Sequence, residues 1–97
     1  MKKVLLLLFV LINLSVAAQI QIKGIIVDGL TNETLIGANI IVQETNSGTA
    51  TNFDGLYTII HKGTLPITLM ASYLGYKTVE LEINSANPSP IKLFSNS

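Results

Sequence analysis

The side chains that could take part in chemistry are few in this 97-residue chain, which has one histidine and no cysteine. His61 comes at the end of a predicted strand, beside Lys62 and Gly63. A catalytic zinc site needs three protein ligands plus water, and a catalytic histidine needs an orienting partner. Because the sequence offers no partner for His61, we predict a solvated histidine at a strand end. The lack of cysteine excludes thiol catalysis and thiolate metal sites.

Loop oxygens form a second candidate site, because Asn52, Asp54 and Asp28 could ligate Ca²⁺. The run Asn52-Phe53-Asp54-Gly55 is similar to part of a calcium loop, but the bidentate glutamate downstream is missing. Asp-Gly also has a local reason to occur, since glycine accepts positive φ and aspartate bonds the nearby backbone. Turn formation is therefore the favoured prediction for these side chains, and calcium binding is the alternative.

Two further pairs are notable for their spacing. Glu80 and Glu82 lie on one face of a predicted strand, where acid–base work would require a cleft and shifted pKa values. A solvated face that protects a sheet edge is the simpler interpretation. Tyr73 and Tyr76 flank Leu74-Gly75 and could stack a sugar or contact a protein. Because aromatic residues in strands usually serve packing, we predict Tyr73 in the core and Tyr76 on the sheet rim.

The sequence contains none of the other patterns that are typical of catalysis or nucleotide binding. It has no nucleophile elbow, no glycine-rich phosphate loop and no basic patch with interleaved aromatics. We therefore predict a protein that is not an enzyme, with no catalytic, cofactor-binding or metal-binding residues and no cofactor.

The first 18 residues are typical of a secretory signal peptide. Lys2 and Lys3 precede an apolar run from Val4 to Ile12, and small residues follow up to Ala18. The run is shorter than the ~20 residues that a membrane span needs. We predict cleavage after Ala18 and an exported mature domain, residues 19–97, without a membrane span. A buried helix or an uncleaved anchor is the alternative.

The mature part is small and weakly acidic. Loss of residues 1–18 leaves four lysines against six acids, a formal net charge of −2, which gives no reason to expect nucleic acid as a partner. A domain of this size buries only about 60% of its unfolded surface. Without disulfides, its stability must come from a well-packed core, a neighbouring domain or assembly, and the sequence leaves the oligomeric state open.

From Gln19 onward the apolar residues recur with period two, interrupted by Gly, Asn, Asp, Ser or Pro. This pattern predicts about seven short strands. They cover residues 20–28, 38–44, 49–51, 56–61, 67–73, 76–84 and 91–94. Since nothing helical is available to cover a single sheet, the fold class we predict is all-β, with two sheets packed as a sandwich.

The central stretch of the chain is Gly48–Tyr57, which contains the Asp54-Gly55 turn. Asp-Gly between apolar alternations is a strong hairpin signal. We therefore predict a hairpin turn that begins a strand at Leu56. Phe53, Tyr57 and Ile59 are the predicted apolar anchors beside it.

Four stretches together resemble a known family. They are Gly24–Asp28, Leu35–Val42, Thr49–Tyr57 and Ser72–Thr78. The chain resembles the carboxypeptidase regulatory-like domain family, a transthyretin-like β-sandwich related in architecture to immunoglobulin domains and frequent in exported proteins of Bacteroidetes. There it often forms the N-terminal extension of TonB-dependent outer-membrane receptors of the SusC/RagA type. Ile36 departs from the family pattern, which often has proline at that place, but Gly37-Ala38 still allows the close turn.

The resemblance implies a non-catalytic interaction module of a nutrient-uptake receptor, with a protein partner in the periplasm or outer membrane. Such receptors continue into a plug domain and a barrel, so a chain that stops near Phe94 is expected to be free-standing or truncated. A secreted structural or adhesive module is the alternative function. An accessory domain of a peptidase is a third, although in metallocarboxypeptidases this type of module supplies no zinc ligand.

Overall fold

The computed structural model describes residues 19–96, and the predicted signal peptide, residues 1–18, lies outside the described residues. Seven strands follow in order. They are β1 (Gln19–Asp28), β2 (Asn39–Val42), β3 (Ser47–Ala50), β4 (Leu56–Lys62), β5 (Ile67–Ser72), β6 (Val79–Ile83) and β7 (Ile91–Leu93). The predicted positions are confirmed, although β2 and β6 are shorter than the alternation suggested. Within the described range, no helix is long and apolar enough to cross a bilayer.

The strands form two sheets, which confirms the predicted all-β sandwich. One sheet has the order β4-β1-β7, and the other has the order β3-β2-β5-β6. All neighbours are antiparallel except β1 and β7, which pair in parallel from Ile26↔Ile91 to Asp28↔Leu93. A parallel pair needs a crossover connection, and here the chain passes through the other sheet between the two strands.

The core lies between the inner faces of the sheets and is almost entirely aliphatic. The strand alternation places every second residue there, as in Ile40 and Val42 on β2 or Ile67, Leu69 and Ala71 on β5. Tyr57 is the one aromatic side chain among the fully buried residues of the described range. Burial of apolar surface stabilises the fold by about 25 cal/mol per Å². Because the apolar residues alternate, each strand has one apolar face, and burial of that face determines which sides of the two sheets pack together.

The predicted hairpin at Asp54-Gly55 is wrong, although the turn and the strand after it are present. β3 ends at Ala50 in the four-stranded sheet, whereas β4 begins at Leu56 in the three-stranded sheet. The segment between them is therefore a corner that carries the chain from one sheet to the other. Phe53, a predicted apolar anchor of the turn, is 87% exposed at this corner, while Tyr57 and Ile59 are buried as predicted.

The connecting segments gather at two opposite ends of the sandwich. β1, β3, β5 and β7 end where β2, β4 and β6 begin. We call this end the loop pole; it comprises residues 29–38, 51–55, 73–78 and 94–96. Gln19 and the turns at 43–46 and 63–66 lie at the opposite pole. The described chain thus enters at one pole and leaves at the other.

Candidate functional site

His61 is buried, so the prediction of a solvated strand-end histidine is wrong. β4 continues to Lys62, and His61 pairs with Ile20 across the β1–β4 ladder at only 7% exposure. The alternation that buries Tyr57 and Ile59 places His61 on the same inner face. That period-two signal was present in the sequence and could have predicted the burial. No other histidine exists to form a pair with it.

Two of the three side chains considered for calcium, Asn52 and Asp28, accept hydrogen bonds in turns. Asn52 Oδ1 accepts the backbone N–H groups of Asp54 at 2.9 Å and Leu56 at 3.0 Å. These bonds close the corner, whose tightest point is Gly55 at φ +77°. Across the described residues, no group of three or more His, Cys, Asp or Glu side chains is placed to hold a metal ion.

Asp28 occupies the first corner of the loop pole and joins three segments. Its Oδ1 accepts the N–H groups of Leu30 and Thr31, and its Oδ2 accepts the hydroxyl of Tyr76 at 2.6 Å. The Tyr76 hydrogen bond is the main cause that lowers the pKa of Asp28, and the backbone donors add to it. The same bond raises the pKa of Tyr76. Both side chains are therefore committed to a structural contact at neutral pH.

The two tyrosines predicted to pack do so. The rings of Tyr73 and Tyr76 lie 5.5 Å apart at 55°, a tilted contact within the favourable range for aromatic pairs. Both are half-buried against the core, in agreement with the packing interpretation. A flat, open stacking platform for a sugar is not what this arrangement provides.

Glu80 and Glu82 lie on β6, the last strand of the four-stranded sheet. Both are exposed, while Leu81 and Ile83 turn toward the core. They stand opposite Met70 and Thr68 in the β5–β6 register, without a charged partner across the strand. Their place at a sheet edge agrees with the interpretation that they solvate and protect it.

A buried hydroxyl that the sequence analysis did not single out holds the central stretch in place. Thr51 is 5% exposed, and its Oγ1 accepts the N–H of Ala38 at 2.9 Å while donating to the carbonyl of Leu35. Its backbone also bonds Ala38 and Gly37. No local sequence signal distinguishes this threonine from Thr49.

Tyr57 fills the core beneath a glycine. A Cβ on Gly24 would lie 2.3 Å from the Tyr57 hydroxyl, so the ring packs directly on the β1 backbone. Gly24 is therefore the point on β1 where another element approaches the backbone closely. The hydroxyl has no hydrogen-bond partner, and burial raises the pKa of Tyr57 to about 12. An unpaired buried hydroxyl is costly, which makes Tyr57 an unusual member of an otherwise aliphatic core.

A surface cavity of ≈ 240 Å³ beside the end of β4 is lined in part by His61 and Lys62. Two further cavities border the three-stranded sheet. One, of ≈ 450 Å³, is bordered by Lys23, Ile25, Leu56, Pro88 and Pro90. The other, of ≈ 200 Å³, separates the outer edges of β3 and β4. The larger has one charged side chain and the smaller has none, so neither brings together a nucleophile and a base. Lys23 is the one charged side chain in the lining of these two cavities.

A comparison with models of protein families identifies the family of this all-β domain. The family model of the CarboxypepD_reg-like domain matches residues 22–97, which include six of the seven strands entirely and most of β1. The chain belongs to this family. The resemblance noted in the sequence is thereby confirmed.

The CarboxypepD_reg-like chain is also similar to part of several TonB-dependent receptors. TonB-dependent receptor SusC of Bacteroides thetaiotaomicron is 42% identical over 87 residues, covering 86% of this chain and 8% of the receptor. TonB-dependent receptors P3 and P39 of Formosa agariphila are 36% and 39% identical, over 88% and 70% of this chain. The CarboxypepD_reg-like chain thus spans less than a tenth of each relative. None of these names denotes an enzyme.

Proposed function

We propose that this chain is a non-catalytic interaction domain that serves a TonB-dependent receptor in the cell envelope. The observation that carries the proposal is the 42% identity to part of the receptor SusC, which extends over most of this chain. Identity at that level over a whole domain supports a shared role for the domain. The substrate and transport activity of such receptors reside in far longer chains and are not assigned to this one.

The geometry of the described residues supports work by contact. Asp28, Asn52 and Tyr76 are engaged in hydrogen bonds within the fold, and His61 is buried. An acid–base site needs groups that are both accessible and held near a substrate. Eight large apolar side chains are exposed in the described domain, and exposed apolar side chains are a feature of binding surfaces.

The proposal also includes export of the chain from the cytoplasm. Residues 1–18 direct the chain across the inner membrane and are removed, and residues 19–97 act as the mature domain in the periplasm or at the outer membrane. The lysine pair, the apolar run and the small residues before Gln19 support this assignment.

The test is fractionation of the native cells, followed by affinity purification through a C-terminal tag and mass spectrometry. We expect a mature N-terminus at Gln19, envelope association and co-purification of a TonB-dependent receptor. Recovery in the culture fluid without a receptor would contradict the proposal, as would a cytosolic protein that retains residues 1–18. Hydrolysis of a peptide or ester by the purified domain would contradict its non-catalytic part.

A further inference from the structure

The exposed apolar side chains of the described domain are concentrated at the loop pole. Eight large apolar residues are exposed, and six of them lie on the loops of this pole or at its border. The six are Leu30, Ile36, Phe53, Leu56, Leu74 and Phe94. Single exposed apolar residues are ordinary on soluble proteins, but a set that shares one end of the molecule marks an interaction site.

These side chains come from separate segments that are locked to one another. Lys77 N–H bonds the Phe94 carbonyl, and Asn96 N–H bonds the Gly75 carbonyl. A Cβ on Gly29 would meet the Phe94 ring at 2.3 Å, so that ring packs on the first corner. The bond from Tyr76 to Asp28 ties the same corner to the 73–78 loop.

The corner between the sheets is joined to this assembly as well. A Cβ on Gly55 would lie 2.6 Å from Thr34 Cβ, and the backbones of Gly37 and Thr51 are hydrogen-bonded. The loop pole is therefore a connected platform. It is preorganised, which lowers the entropy lost when a partner binds.

The platform leaves its largest side chains without cover. Leu74 is 96% exposed and Leu30 is 81% exposed, although the backbone around them is hydrogen-bonded. Turns are normally formed by polar residues and glycine, so leucine and phenylalanine at turn tips need another reason. At the opposite pole the turn residues 43–46 and 63–66 include no exposed large apolar side chain.

The direction of the chain indicates what covers the platform. β7 ends at the loop pole, and residues 94–96 are bonded into it. In the SusC relative, the matched region is 8% of the receptor, so nearly all of such a receptor lies outside this domain. A receptor body joined to this type of domain after its last strand would begin at the loop pole.

We infer that the loop pole docks this domain onto an apolar surface of the body of a TonB-dependent receptor. The inference rests on the proposed function and adds to it the surface and the chemistry of the contact. Phe53, Leu74 and Leu30 are its central side chains, because they are the most exposed and the least supported by the fold. Contact on both sides is apolar, so affinity falls when these side chains are replaced by polar ones.

The experiment uses the full chain in native cells. A benzophenone amino acid replaces Leu74 at the loop pole or Thr64 at the opposite pole, and irradiation is followed by mass spectrometry. In parallel, the tagged variants Leu74→Ser and Phe53→Ser are compared with Ile60→Ser for the amount of receptor that co-purifies. Ile60 is the matched control, because it is 57% exposed on β4 and lies away from the loop pole.

We expect a crosslink from the Leu74 position to the plug or barrel part of a TonB-dependent receptor, and none from the Thr64 position. The two pole variants should retain about a tenth or less of the receptor, as truncation of a central contact does, while Ile60→Ser retains it. Unchanged melting temperatures exclude unfolding as the cause.

Three results would overturn the inference. They are a crosslink to a second copy of this chain, equal crosslinking from both poles, and equal loss of receptor with Ile60→Ser. In each of these cases a receptor that still co-purifies with the unaltered domain would leave the proposed function standing. If no receptor co-purifies with the unaltered domain, both the proposed function and the docking surface are refuted.

Discussion

Replacement of Thr51 by valine tests whether one buried hydroxyl holds the corner between the sheets. Valine keeps the shape and removes Oγ1, which accepts from Ala38 N–H and donates to the Leu35 carbonyl. Both backbone groups would then be buried without that partner. Each such loss costs about 1–3 kcal/mol, against about 0.8 kcal/mol regained from an added methyl group.

The net loss in free energy of unfolding is therefore about 1–5 kcal/mol. A domain of this size has about 4–12 kcal/mol in total, so Thr51→Val should remove a large share of the stability. At ~4–8 °C for each kcal/mol, a loss near ~3 kcal/mol lowers the melting temperature by about 12–24 °C. Circular dichroism during urea and thermal unfolding measures both quantities.

Thr51→Ser is the matched control, because serine keeps the hydroxyl and loses only the methyl group. We expect it to cost about 1 kcal/mol, the value of one buried methyl group. If Thr51→Val is as stable as Thr51→Ser, the hydroxyl does not anchor Leu35 and Ala38, and the reasoning is refuted.

Three further changes test other contacts by the same unfolding measurements. Tyr57→Phe removes an unpaired buried hydroxyl and should stabilise the domain by up to about 1–3 kcal/mol. Burial raises the pKa of Tyr57 to about 12, so the stability of the wild-type domain falls as pH rises above 10.0, the ordinary pKa of tyrosine. Tyr57→Phe should lose less stability over that pH range, and an equal loss in both proteins would refute this. Tyr76→Phe should destabilise at neutral pH. Because the contact with Tyr76 lowers the pKa of Asp28, ionised Asp28 stabilises the fold above pH 3.8, and this stability is lost as pH falls through the pKa of the folded state. The free energy of unfolding of Tyr76→Phe should therefore decrease less in acid than that of the wild type. An unchanged pH profile would contradict the contact. Gly55→Ala should lower the free energy of unfolding more than Gly37→Ala does. Both glycines have positive φ, but a Cβ at Gly55 would lie 2.6 Å from the side chain of Thr34, whereas a Cβ at Gly37 would meet nothing within 4 Å. Equal losses would show that backbone strain alone determines the effect.

The sequence predicted the strands and most of their inward faces, because period-two burial is a local property. Ile40 and Val42 are buried while Ile41 is exposed, as the alternation indicates. The turn at Asp54-Gly55 was predicted from local chemistry as well. The hairpin was not obtained correctly, because a tight turn does not specify whether the next strand joins the same sheet or the facing one.

The errors at the candidate site arise from the same limit. Phe53 was predicted to be an apolar anchor of a hairpin turn, but at the corner between the sheets its side chain is exposed. His61 was predicted to be solvated because it lies at a strand end without an identifiable partner, although its register opposite Ile20 continues the inner face. Thr51 was missed because its role depends on Ala38 and Leu35, which are distant in sequence. The burial of these three side chains depends on the register of the strands and on which sheet each strand joins. Both are set by contacts with other parts of the chain.

The parallel pairing of β1 with β7 determines how this domain responds to tension. β1 starts at one pole and β7 ends at the other, so a pull on both ends slides the two strands past each other. The ladder bonds between Ile26–Asp28 and Ile91–Leu93 then stretch together, instead of opening one at a time as at a peeled edge. Shared loading raises the force needed for rupture, and unfolding under force is governed by the rate of that step. The parallel β1–β7 ladder therefore resists a pull applied between Gln19 and Leu93.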